Sequence, residues 1–322
     1  MNIAILGAGN IAATMATTLQ PLKNVTCYAV ASRDKKRAQA FADKFGFQVA
    51  YGSYIDMLHD PNVHLVYIAT PHSHHYETMK LCVERHKNIL CEKPITVNAN
   101  QLKEIKQLAK DNGVFLAEAL WPRYMPSRKM INDILETKVI GEPKMLTANL
   151  CFVIHEHARL MDKNLAGGAL LDIGIYGLNF ALMFFGDDIK KIDSSVEFTE
   201  TGVDGHECIT LRYNDGRMAV LTHDIFSRSD ERGVIYGSNG YISVDYILNP
   251  QTIDVYDIDG NLIQHYNVPK QISGYEYEMI ECMKCVEEGK LEADSIKLDE
   301  SSRMMEIMDS IRKDWGLKYP IE

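Results

Sequence analysis

The chain has 322 residues, 46% hydrophobic and 24% charged, which is enough apolar content to bury substantial cores and too much for a disordered, collagenous or low-complexity protein. Its 34 Lys and Arg against 44 Asp and Glu leave a formal charge of -10, which opposes binding to a nucleic acid backbone and leaves room only for a local basic pocket holding a small anion. Apolar runs such as Leu65 to Ala69 and Ala181 to Phe185 are far shorter than the roughly 20 residues of a membrane helix, and the opening Met1-Asn2-Ile3-Ala4-Ile5-Leu6 has no basic leader. No membrane partner and a cytoplasmic location are expected. The seven cysteines are odd in number and scattered, which favours reduced thiols, and Cys282-x-x-Cys285 reads as packing within a helix.

The length predicts two domains, residues 1–120 and 121–322. In the first, strands at 2–6, 25–31, 63–69, 88–91 and 114–117 alternate with helices at 10–20, 34–45, 73–86 and 98–112, the pattern of βαβ units and an α/β, doubly wound parallel (Rossmann) sheet. Trp121-Pro122-Arg123-Tyr124-Met125-Pro126 interrupts regular structure. From about 143 to 268 the chain is mainly strand-like, with turn signals at Asn214-Asp215-Gly216, Ser238-Asn239-Gly240 and Asp257-Ile258-Asp259-Gly260. That predicts an α+β domain on a mainly antiparallel sheet, interrupted by an apolar helix near 170–185 and closed by helices at about 274–288 and 299–314.

Gly7-Ala8-Gly9-Asn10-Ile11-Ala12 follows a strand and opens a helix, the context a dinucleotide-binding G-x-G-x-x-A turn requires. Gly7 permits the tight turn, Gly9 lets the backbone approach a pyrophosphate, and Ala12 keeps helix and strand close. The N–H groups at Asn10 and Ile11 and the positive end of the helix dipole then face the phosphates. At the end of the second strand, Ser32 stands where an acid would bind the adenosine ribose and repel a 2′-phosphate, and Arg33 supplies a planar cation. NADP is expected over NAD, with NAD left open because Asp34 could be either a helix cap or a ribose ligand.

At Glu92-Lys93-Pro94, directly after the strand ending at Cys91, the sequence resembles the glucose-fructose oxidoreductase, inositol dehydrogenase and MocA family over essentially the whole chain. The glycine turn, Ala69-Thr70-Pro71-His72-x-x-His75, Glu118-Ala119-Leu120-Trp121 and the run from Gly167 to Tyr176 carry the resemblance in order and spacing. The tail from Leu298, ending in Trp315-Gly316-Leu317-x-Tyr319-Pro320, looks most like the dimeric dihydrodiol dehydrogenase branch, which also includes NADP-dependent D-xylose dehydrogenases. Two positions depart from the common pattern: Tyr176 stands where many members have His, and His72 where many have Asn. The resemblance implies a cis peptide at Pro94 and cofactor contacts from Thr70, Pro71, His75, Glu92 and Lys93.

Oxidising an alcohol by hydride transfer requires a base for the hydroxyl proton and positive charge to ease its departure. On the apolar helix, Asp172, Tyr176 and Asn179 fall at i, i+4 and i+7, on one face. Tyr176 is the candidate acid/base and Lys93 the cation that lowers its pKa from about 10. Asp172 would orient the substrate or Lys93. His155, Arg159 and Trp121 could line a substrate pocket or simply pack or face solvent. His72, His74, His75, His155 and His157 invite a metal reading, but hydride transfer needs none when a base and a cation are present, so no metal is expected.

The expected activity is an NAD(P)-dependent dehydrogenase or reductase acting on the CH–OH group of a small sugar, polyol or dihydrodiol. The alternative is a non-catalytic cofactor sensor of the same fold. A homodimer through the C-terminal sheet is expected, with apolar groups such as those in Gly240 to Leu248 serving either a subunit interface or the domain's own core.

Overall fold

The computed structural model describes all 322 residues. They form two compact units, Met1–Tyr124 with Gln271–Met305, and Met125–Lys270 with Glu306–Glu322. The division is therefore not a single cut near residue 120. Residues 271–305 return to the first unit, where Leu116 N–H donates to the Leu291 carbonyl at 3.0 Å and the Ser301 hydroxyl donates to Glu118 at 2.6 Å.

The first unit is built on six parallel strands, β1 (Asn2–Leu6), β2 (Thr26–Ala31), β3 (Val49–Tyr51), β4 (Leu65–Ile68), β5 (Asn88–Glu92) and β6 (Leu116–Ala119), in the order β3-β2-β1-β4-β5-β6. The crossovers carry helices α1 (Asn10–Leu19), α2 (Lys35–Phe45), α3 (Tyr54–Leu58), α4 (His75–Val83) and α5 (Ala99–Asp111). β4 is buried along its whole length, as expected of a parallel strand covered on both faces. β3 and α3 escape sequence reading because a three-residue edge strand and a helix of little more than one turn carry no usable period. The strand order reverses between β1 and β4, so the loops after these strands flank the switch point where ligands bind in such sheets.

In the second unit, α6 (Pro126–Glu136) begins at the second proline of the presumed breaker. Proline at the first helical position lacks only an N–H that would be unpaired there, so the residue opens a helix instead of preventing one. β7 (Pro143–Cys151), α7 (Ile175–Phe185), β8 (Ile189–Phe198), β9 (Asp204–Tyr213), β10 (Met218–Asp224), β11 (Gly233–Gly237), β12 (Gly240–Val244), β13 (Thr252–Asp257) and β14 (Leu262–Asn267) follow. The sheet runs β14-β13-β12-β11-β7-β10-β9-β8, antiparallel except for the β7–β10 pair. Helix α8 (Glu276–Glu287) lies in the first unit, and α9 (Leu298–Trp315) contributes to both.

The segment before α7 is not the regular helix expected from 170: Leu170–Gly174 is a π-turn. α7 covers one face of the sheet, burying Leu146, Ala148 and Leu150 of β7 and Ala219 and Leu221 of β10. Lys163–Phe185 is long and apolar enough to cross a membrane by composition, but 83% of its most apolar window is buried inside the protein, the mark of a core segment. Ile242, Val244, Ile247 and Leu248 are buried as well, so the apolar side chains of that stretch serve the unit's own core.

Candidate active site

Gly7 ends β1 at φ +104, its N–H donating to the Ala31 carbonyl at 2.9 Å. A Cβ there would stand 2.6 Å from the Ala69 carbonyl oxygen, so both the conformation and the space require glycine. Gly9 differs: it caps α1 without a side-chain bond, at φ -95, and a Cβ would meet nothing within 4 Å. No acidic residue lies in the first turn of α1. Exposed backbone N–H groups, an uncapped positive dipole end and open space fit the pyrophosphate of a dinucleotide.

Arg37, which sequence reading missed, donates from Nε and Nη2 to the Ala8 carbonyl at 3.2 and 2.8 Å and pins this turn. Its signal is faint, a cation one helical turn past the α2 cap. Ser32 is buried and Arg33 exposed. Asp34 proves to be the cap of α2, accepting from the Lys36 N–H at 2.8 Å. The Arg33 cation acts on Tyr54 and His74; burial comes first in pushing the His74 imidazole down, and Arg33 adds to it.

After β4, the Thr70 hydroxyl is buried without a protein partner, and Pro71 opens a short 3-10 turn over His72–His74. His75 is fully buried, with Nδ1 2.8 Å from the Pro94 carbonyl and Nε2 2.9 Å from the Thr70 carbonyl. Its ring thus ties the loop after β4 to the loop after β5. His72 packs edge-on against it at 5.7 Å.

The Lys93–Pro94 peptide is cis. Glu92 accepts from the Tyr67 hydroxyl, and its other oxygen accepts from the Lys93 N–H at 3.2 Å. Glu118, buried on β6, accepts from the Ile95 N–H at 3.0 Å and so clamps the far side of the cis turn. Burial pushes the Glu118 carboxyl up, while its hydrogen bonds and the Arg123 and Lys93 cations oppose that shift. Glu278 of α8 is fully buried, with both carboxyl oxygens lacking a protein partner; burial and the Glu92 charge push it well up. Trp121 is buried and stacked on Tyr275 at 4.4 Å, a packing role.

In the second unit, Tyr176 lies in the first turn of α7 at 8% exposure. Asp172 sits within the π-turn and accepts from Arg159 Nη2 at 2.9 Å. Arg159, read from sequence as lining a pocket, packing or facing solvent, pairs with the carboxylate expected to orient a substrate. Asn179 is buried, its amide donating to the Met183 sulfur at 3.8 Å. The π-turn interrupts the regular helical spacing between Asp172 and the α7 residues Tyr176 and Asn179. His155 packs at a tilt against Phe226, ring centroids 4.9 Å apart. No set of three or more His, Cys, Asp or Glu side chains gathers to hold a metal ion.

Residues 1–120 match the family model of the GFO/IDH/MocA oxidoreductases with an NAD-binding Rossmann fold, and residues 129–243 match the model of a GFO/IDH/MocA C-terminal domain. The chain is 34% identical to trans-1,2-dihydrobenzene-1,2-diol dehydrogenase of Mus musculus over 329 residues, covering 98% of this chain and 97% of the relative. It is 33% identical to the Xenopus tropicalis protein of the same name over 98% of both chains. Among solved structures, a 3-ketoreductase from Actinomadura kijaniata in complex with NADP and TDP-benzene superposes with a TM-score of 0.88 at 23% identity over 97% of both chains. An aldose-aldose oxidoreductase from Caulobacter crescentus complexed with glycerol does so with a TM-score of 0.88 at 18% identity over 98% of both. The last two establish the likeness of fold.

Proposed function

The chain belongs to the GFO/IDH/MocA oxidoreductase family, and we propose that it is an NADP-preferring dehydrogenase acting on a secondary alcohol or hemiacetal carbon of a dihydrodiol, sugar or polyol. The names of the relatives at 34% and 33% identity favour the dihydrodiol, and the aldose-aldose oxidoreductase among the structural neighbours keeps aldoses in the panel.

The observation that carries this reading is Tyr176, buried at the start of α7 directly after the π-turn, beside an Asp172 already paired with Arg159. With Asp172 neutralised, the phenol is the group on that segment able to give and take a proton. Lys93 supplies the ammonium that stabilises its phenolate form and the substrate alkoxide. Gly7, Gly9, Asn10, Ile11 and Ala12 hold the pyrophosphate; Ser32 and Arg33 receive the 2′-phosphate; Thr70, Pro71 and Glu92 border the nicotinamide half. His75 supports that border through its two carbonyl contacts. When bound, the nicotinamide supplies the hydride acceptor or donor. Tyr176 takes the hydroxyl proton during oxidation and returns it during reduction.

Seven unpaired cysteines suit a reducing compartment, which supports a cytoplasmic location. The face of the eight-stranded sheet away from α7 carries Tyr236, Tyr241 and Tyr256 in mutual contact at 5.9 and 4.6 Å, with Met145 at 38% exposure nearby on β7, and suits a homodimer contact. Sedimentation giving a dimer that Tyr241→Glu converts to a monomer supports that assignment; a monomeric wild type removes it.

The test is a screen of trans-dihydrodiols, aldoses and inositols with NADP and NAD in parallel, following nicotinamide absorbance. Turnover with NADP on at least one class supports the reading. Tight NADPH binding without turnover on any would instead identify a cofactor-binding regulatory protein.

A further inference from the structure

Beneath the π-turn, the covered face of the second unit's sheet changes character. Along β9 the inward positions run Glu207, Ile209, Leu211 and Tyr213, and along β10 they run Ala219, Leu221 and His223. Glu207 and His223 are cross-strand partners, both at zero side-chain exposure, with His223 Nδ1 2.8 Å from Glu207 Oε1. Asp204, also fully buried, opens β9, and its Oδ2 accepts from the Leu170 N–H at 2.5 Å.

Each of these three side chains faces a glycine of the segment that carries Tyr176. A Cβ added to Gly168 would stand 2.0 Å from Asp204 Oδ1. One on Gly174 would stand 2.3 Å from Glu207 Oε1, and one on Gly177 would stand 2.1 Å from His223 Nε2. Three polar side chains of the sheet therefore meet three glycines of the helical segment, at the turn before the π-turn, at its end and in the residue after Tyr176. Contacts this close leave no freedom to slide or rotate the segment on the sheet.

We propose that Asp204, Glu207 and His223 form a positioning floor that sets the π-turn and thereby the orientation of the Tyr176 phenol. None of the three is a catalytic residue; they act through Tyr176, so their importance to turnover rests on the acid/base reading above. The Glu207–His223 contact is an uncharged hydrogen bond: burial pushes the carboxyl up and the imidazole down to about 3, so the carboxyl O–H donates to Nδ1. Glutamine at 207 can donate in the same way, which supplies a conservative control.

The experiment uses the full chain with ring-13C-labelled tyrosine, in which the Tyr176 resonance is the one lost in Tyr176→Phe. Gly177→Ala and His223→Leu should shift that resonance, whereas Glu207→Gln should leave it near its wild-type position. On the best substrate of the panel, Gly177→Ala and His223→Leu should lower kcat by about 10- to 100-fold, the scale of an ångström-sized misplacement, with NADPH affinity within about twofold of wild type. Folded variants whose Tyr176 resonance and kcat both stay at wild-type values overturn the proposal. So does loss of turnover accompanied by equal loss of NADPH affinity, which would mark a general structural defect. If Gly177→Ala does not fold, His223→Leu carries the same reading. Normal turnover in Tyr176→Phe defeats the acid/base reading alone, because the resonance shifts still report on the floor.

Discussion

Gly7 and Gly9 stand two residues apart in one turn, and the structure predicts opposite outcomes for the same substitution. At Gly7, alanine would meet φ +104 and a carbonyl oxygen 2.6 Å from its Cβ. The left-handed conformation costs about 1–2 kcal/mol and the overpacking about 1–3 kcal/mol. Gly7→Ala should therefore lose roughly 2–5 kcal/mol, and at about 2–4 °C per kcal/mol for a unit of this size the first unit should melt roughly 4–20 °C lower. At Gly9, φ is -95 and nothing lies within 4 Å of the added Cβ, so Gly9→Ala should cost under about 1 kcal/mol of stability. Its cost falls on the ligand: the new methyl occupies the space a pyrophosphate needs, and NADPH affinity should drop at least about tenfold, or about 1.4 kcal/mol. Differential scanning calorimetry and NADPH fluorescence titration on both variants decide it. Gly9→Ala that binds NADPH as tightly as wild type would refute the assignment of this turn to the phosphates.

Arg33 is exposed beside the end of β2, and a charge-assisted contact with a 2′-phosphate is worth about 1.5–3 kcal/mol, so Arg33→Ala should weaken NADPH by about 10- to 150-fold and NADH little, as paired titrations can show. Stability should also depend on pH through the second unit's buried cluster. Asp204 is pushed up to about 7, with burial the leading cause, so its folded form holds a proton that the unfolded chain releases above about 4; stability from this group falls as pH rises from about 4 to 7. His223, pushed down to about 3 by burial, works in the other sense, and its contribution falls as pH drops from 6.5 towards 3. Asp204→Asn should gain stability at pH 7 relative to pH 5, and His223→Leu should lose it, in denaturant melts at the two values; equal changes in both variants would contradict the assignment.

Much of the first unit was legible because its signals are local. A strand, a glycine turn and an amphipathic helix each announce themselves within about 15 residues, and β1, α1, β2 and α2 lie within one or two residues of where the sequence places them. Asp34 shows the limit: its ambiguity between cap and ribose ligand needed the Lys36 N–H to resolve it. Glu118, Glu207 and His223 stayed hidden because their partners are far along the chain or in neighbouring strands, and Glu278 because its complete burial is set by tertiary packing. Each does carry a mark, an ionisable residue at a position whose neighbours of the same face are apolar, as in Glu207, Ile209 and Leu211. The π-turn has no such mark, since it arises where Gly168, Gly174 and Gly177 meet the sheet's polar side chains. The return of residues 271–305 to the first unit is hidden for a similar reason: α8 follows the second unit in sequence but belongs to the first.

Whether the phenol of Tyr176 handles the substrate proton is decided by kcat of Tyr176→Phe on the best substrate of the panel, measured alongside its NADPH affinity. Turnover should fall by at least about 100-fold, the scale of general acid/base catalysis, with the cofactor bound as in wild type. Turnover within a few-fold of wild type would contradict it.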